Sequence, residues 1–262
     1  MTSPTLARPF RFASESAPTD ADLAIPFSRL LRVECGKATD TRAARWLLAM
    51  VAVTTSALML APILSPSSID QTYTSYLGFA ATGLSILLPV VSILTLTSEW
   101  SQRTVLTTFT QESRRIRVVT AKVTVSLLLA AGGAVFGGLL TAGALGVAAL
   151  SGRELDANLN AAVVVGYLLY VLLNVLMGVA FGALLHNSTA AIVLIFALPI
   201  GFALLGRVST AVAEWIDSTT TFNWLLTGDS AGHLPQILVS VMIWVALPLV
   251  AGLIRTVRRE IN

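Results

Sequence analysis

Charge is scarce in this chain, and so is cysteine. Only 12% of the 262 residues are Asp, Glu, Lys or Arg, about half the roughly one-quarter of a soluble domain. Hydrophobic residues make up 55%, and the charges cluster, which leaves long uncharged stretches. Such a chain cannot hide its apolar surface in one water-soluble core and needs lipid as solvent. The single cysteine, Cys35, excludes an internal disulfide and any multi-cysteine metal site. It reads as an inert free thiol.

Catalytic patterns are missing as well. A nucleotide-hydrolysing loop needs G-x-x-x-x-G-K-[ST], but the one Gly-Lys pair, Gly36-Lys37, is followed by Ala38 and lacks the upstream glycine. There is no Gly-x-Ser-x-Gly elbow. Ser85 follows Gly83-Leu84, yet a nucleophile needs a base at its own depth and none is available. His186 and His233 are expected at opposite ends of the membrane, unable to share a metal, each in a helix-end or loop role. No apolar run contains an acid, lysine or arginine, where ion-driven carriers place one. Asn174 is the most polar mid-run residue, and a hydrogen bond between helices accounts for it. No internal repeat is found, and no polar segment is long enough to build a soluble core.

What the chain does have is six apolar runs, at 46–64, 77–96, 123–150, 161–185, 189–206 and 237–254. A bilayer core of ~30 Å takes about 20 helical residues, so all six qualify as spans. The fold class is an all-α polytopic membrane protein. The third run is the longest, which implies tilt or extension beyond the bilayer. Pro62, Pro89, Pro199 and Pro248 lie within runs, where each permits a kink. The three residues His186-Asn187-Ser188 make the fourth and fifth runs a tight hairpin.

Around these runs, residues 1–22 read as a disordered tail without a signal-peptide core. Residues 23–45 read as an interfacial helix. Leu23, Phe27, Leu30 and Leu31 share one face, and Arg29, Arg32 and Lys37 turn toward anionic headgroups. Residues 207–236 hold one or two short outer helices, with Trp215, Phe222 and Trp224 favouring the interface. Residues 255–262 form a short tail.

Basic residues set the orientation. Seven precede the first run, five lie in 97–122 and three follow the last, leaving only Arg153 and Arg207 for the other side. Both termini are therefore placed inside. In the third run, Gly133-x-x-x-Gly137 is read as close packing within the chain in preference to a dimer seam.

The one long polar interruption, 97–122, sets Arg103, Arg114, Arg115, Arg117 and Lys122 against Glu99 and Glu112. Its apolar residues, among them Val105, Leu106, Phe109 and Ile116, recur at helical spacing. Binding of anionic lipid accounts for the charges, but not for the loop's length or its apolar positions. The reading is a docking hairpin for another subunit. Glu99 and Arg103 stand four residues apart, where a helix pairs them.

Thr97-Ser98-Glu99-Trp100-Ser101, then Arg103-Thr104, Arg114-Arg115 and Ala121-Lys122, with Arg32-x-Glu34-x-x-Lys37 before the first run, resemble a known family. They are similar to permease subunits of ATP-binding-cassette exporters, type-two class, actinobacterial branch, over nearly the whole chain from about Ser28. The resemblance implies a connecting helix at 23–45 and a coupling helix at 101–119 that fits a groove on a separate ATPase. It implies short outer helices at 207–236, and two permeases, identical or not, pairing around a central path. ATP and Mg would be bound by the ATPase partner and no cofactor by this chain. The coupling residues would be Glu99, Arg103, Thr104, Phe109, Arg114, Arg115, Arg117 and Lys122, and the connecting-helix residues Arg32, Glu34 and Lys37. Ser113 stands where the family often has proline.

The function expected is outward movement of an amphipathic or apolar cargo (drug, lipid or peptide) across a bacterial plasma membrane. The partners expected are the ATPase, a second permease and membrane lipids, without nucleic acid. The alternatives are a stand-alone carrier or channel, and a membrane anchor or immunity factor recruiting a cytoplasmic partner.

Overall fold

The computed structural model describes residues 26–101, 115–154 and 160–258, nearly all of them helical. Helix α1 covers Phe27–Thr39, α2 Arg42–Leu64, α3 Tyr73–Ser101 and α4 Arg115–Leu150. Helix α5 covers Ala161–Leu185, α6 Ser188–Gly206, α7 Thr210–Trp215 and α8 Ser218–Thr227. A 3-10 turn, Ala231–His233, leads into α9, Leu234–Val241, and a π-helical turn, Met242–Ala246, joins it to α10, Leu247–Arg258. Among the described residues, six helical stretches are long and apolar enough to cross a membrane. The chain is a multi-pass helical membrane protein.

Polar residues punctuate these helices. The Thr41 hydroxyl accepts from Ala44 N at 3.1 Å and so starts α2. Asn160 caps α5, Asn187 caps α6, and Asp217 caps α8; each occupies an amide that has no partner within its helix. His186 ends α5 in the left-handed region at φ 50°, which lets α6 begin two residues later.

The structure redraws several boundaries. The helix expected over 23–45 is two: α1 ends at Thr39, and Arg42 already belongs to the first span. Its buried stripe is Leu30, Glu34 and Ala38, while Phe27 is exposed. The helix that carries the third span begins at Arg115, ahead of the apolar run at 123–150. The last is not one α-helix, because the π turn interrupts it, and α10 runs on to Arg258 rather than stopping at 254. The α5 limits agree with the sequence reading.

At the centre are α3 and α5. Their spans are 56% and 50% buried, against 17–28% for the other four. They touch because one of them carries glycine at the crossing: a Cβ on Gly178 of α5 would stand 2.5 Å from the Pro89 carbonyl oxygen of α3. Gly252 does the same for α10, meeting the α5 backbone at Ala183 and Leu184. Gly133 and Gly137 of α4 pack on Leu84 of α3, so that glycine pair does serve packing within the chain.

The π turn has a visible counterpart. Trp244 within it donates from Nε1 to the Ile216 carbonyl at 2.6 Å, and its ring meets Phe202 edge-on at 5.4 Å. The Thr221 hydroxyl donates to Ser240 Oγ at 2.7 Å. The short helices α7 and α8 are thereby fixed to the last span where its winding widens.

Candidate functional site

Two polar features stand out in a molecule that is otherwise aliphatic. The first is an ion pair at the end of the bundle where α3 and α4 meet α1. Glu34 Oε2 lies 2.7 Å from Lys122 Nζ, and the two residues are only 1% and 4% exposed. The other carboxylate oxygen accepts from Lys37 Nζ at 2.6 Å. Lys122 also donates to the Thr95 carbonyl of α3 at 3.2 Å. A buried charge persists only when it is paired and hydrogen-bonded, and here both conditions are met.

Local sequence explains each position. Glu34 lies one turn from both Leu30 and Ala38, on the stripe of α1 that packs inward. Lys122 falls on the buried stripe of α4, beside Val118, Ala121 and Val125. One carboxylate thus joins α1 to α4, and one ammonium joins α4 to the last turns of α3. These are the two roots of the segment linking α3 to α4.

Of the residues assigned to coupling, Arg103, Thr104, Phe109 and Arg114 lie outside the described residues, as do the side chains of Glu99 and Arg115. Arg117 is partly buried and Arg32 exposed. The structure brings Glu34, Lys37 and Lys122 together. The resemblance had put the first two in the connecting helix and the third in the coupling hairpin.

At the same end, His186 Nε2 lies 2.8 Å from the Thr256 hydroxyl, and Arg255 donates to the Leu184 carbonyl at 2.5 Å. The end of α10 therefore closes over the α5–α6 turn. His233 lies at the far end of the last span, stacked on Trp224 with ring centroids 3.9 Å apart. Among the described residues, no three His, Cys, Asp or Glu are grouped to hold a metal. Also at that far end, Arg153 donates to the Ile63 and Pro62 carbonyls at 2.7 and 3.3 Å. A cation there complements the negative end of α2.

The second feature is a cavity of about 260 Å³ between α3, α5, α6 and α8. Its wall is mainly apolar, and its polar members are Ser85, Tyr170, Asn174, Ser218 and Thr219. No charged side chain lines it. Pro89 and Pro199 both face it. A proline has no N–H for the carbonyl four residues back; here those carbonyls belong to Ser85 and Ile195, which also line the cavity.

Asn174 departs from expectation. Its amide donates to Tyr170 O of its own helix at 2.9 Å, and it borders the cavity instead of bridging helices. A bond between helices comes instead from Tyr167, which donates to the Ala134 carbonyl at 2.8 Å; Ser92 donates to Pro89 O of its own helix at 2.7 Å and reaches the Val175 carbonyl of α5 at 3.2 Å as well. A short amide side chain on a helix can always reach back one turn. A hydroxyl on a long ring cannot, and that difference was readable.

Compared with known proteins, the chain matches no family model and no curated protein.

Proposed function

We propose that this chain is the permease subunit of an ATP-binding-cassette exporter, with both termini in the cytoplasm of a bacterial cell. A separate ATPase docks on the basic hairpin between α3 and α4. The observation that carries this reading is the buried Glu34–Lys122 pair with its Thr95 contact. It ties α1, α3 and α4 together at both roots of that hairpin. A push on the hairpin then moves three helices as a unit and shifts the spans between two states of access. The uncharged cavity between α3, α5, α6 and α8 fits an amphipathic or apolar cargo. Two permeases, identical or not, complete the central path, and ATP and Mg are bound by the ATPase.

The test is reconstitution with the candidate ATPase. Cargo-stimulated ATP turnover should fall in Arg115→Glu and in Glu34→Gln, while both variants still insert in the membrane. Labelling of Arg114→Cys, in a Cys35→Ser background, should need access to the cytoplasmic side. Labelling from the outside overturns the reading, and so does transport by the purified chain alone on an ion gradient.

A further inference from the structure

We propose that the groove at the head of α2, formed by Arg42, Arg45, Trp46 and Ala49, binds the headgroup of an anionic phospholipid, with one acyl chain lying along the helix. The proposal needs only that α2 crosses a membrane, and it is independent of any ATPase.

The groove is a shallow, open recess on the surface of α2, bordered by the two arginines and Trp46 and wide enough for a phosphate and its glycerol. Arg42 and Arg45 are both exposed and lie one turn apart. Neither guanidinium meets a carboxylate among the described residues. Lys122, by contrast, is neutralised inside the protein. Two forked donors side by side suit a phosphate bidentately.

What lies next to the arginines decides between a free phosphate and a lipid. Trp46 is 74% exposed, and Met50, Val53 and Leu60 continue the same open face at 50%, 60% and 49%. Trp46 to Ala57 spans about 16 Å of helix, close to one leaflet of a ~30 Å core. Cation first, indole next, aliphatic track after: that order matches headgroup, interface and acyl chain. A free phosphate would use the arginines and leave the track bare. A second copy of this chain packed on the same face about a two-fold axis normal to the membrane would bring arginines to the same depth. Like charges would then oppose each other.

The test is native mass spectrometry on the full chain, released from bilayers of equal phosphatidylglycerol and phosphatidylcholine. Wild-type protein should retain phosphatidylglycerol preferentially. The Arg42→Gln/Arg45→Gln variant should lose that retention by about tenfold or more, with phosphatidylcholine unchanged. Arg207→Gln removes an exposed charge at the opposite end of the bundle, outside the groove, and should lose no more than about threefold. Ala49→Trp fills the groove from an exposed position without altering charge, and should weaken retention as the arginine pair does. It also stands in should the double variant fail to accumulate.

Four outcomes overturn the proposal: retention unaffected by the groove variants, an equal loss in the Arg207 control, displacement of the lipid by millimolar glycerol phosphate, or efficient Trp46→Cys cross-linking between two copies.

Discussion

Lys122 Nζ and Glu34 Oε2 are 2.7 Å apart across 88 residues of sequence, with both side chains almost wholly withdrawn from solvent. Removing the Glu34 charge strands Lys122 in a low-dielectric setting, at a cost of about 3–5 kcal/mol, whereas removing Lys122 leaves Glu34 with Lys37 as its one cation and should cost less. Glu34→Gln and Lys122→Met should each lower the thermal unfolding midpoint in detergent. The double variant, which strands nothing, should be more stable than the sum of the single losses implies by at least about 1 kcal/mol. Additive losses would show that the two charges are not coupled.

Gly178 and Gly138 make a matched pair of probes. A Cβ on the first would collide with the backbone of Pro89, whereas a Cβ on the second meets nothing within 4 Å. Gly178→Ala should destabilise the chain by about 1–3 kcal/mol through separation of α3 and α5. Gly138→Ala should be neutral or slightly stabilising, since it removes a glycine from a helix interior. Thermal melts of the two variants side by side decide the point.

Trp244→Phe keeps an aromatic ring but deletes the donor that holds the Ile216 carbonyl and part of a buried indole. The expected loss is about 1–3 kcal/mol, felt locally. Hydrogen exchange should quicken in residues 210–227 and stay unchanged in α3 and α5. Uniform acceleration would mean that the bond holds more than the outer helices.

If the cavity takes cargo, filling it should impair cargo and nothing else. Phe196→Trp, at its rim, should lower cargo stimulation of the partner ATPase while basal ATP turnover and assembly are retained. Equal loss of both activities would point to disrupted docking instead.

The spans were legible because lipid imposes a length and forbids charge; α5 was bounded to the residue on that logic alone. The start of α4 was not. Arg115, Arg117 and Lys122 read locally as loop, and only a partner far away in sequence makes a lysine tolerable on a buried stripe. The same blindness hid the packed stripe of α1. The sequence sets Leu23, Phe27, Leu30 and Leu31 on one face, and of the described three only Leu30 is buried, in line with Glu34 and Ala38. One clue was available: an acid on the apolar face of an otherwise basic helix. The third run is dense in glycine, yet a Cβ added at Gly132, Gly138, Gly143 or Gly146 would meet nothing within 4 Å. The close crossings include Gly178, which opens a Gly178-x-x-x-Gly182 pattern in α5 that the sequence displays, and Gly252, solitary in its run. The cavity needed four elements at once, and no stretch of sequence displays that.

The length of α4 has a mechanical sequel. Its 36 residues make a rod of about 54 Å, far longer than a bilayer core. The rod is gripped near its middle, where the Tyr167 hydroxyl holds the Ala134 carbonyl. A swing of about 10° around that fulcrum would carry the Arg115 tip roughly 5 Å sideways. If a partner docks at the basic end as proposed, small rearrangements among the buried spans and large excursions of that tip would be two readings of one stroke, geared by where the tyrosine takes hold.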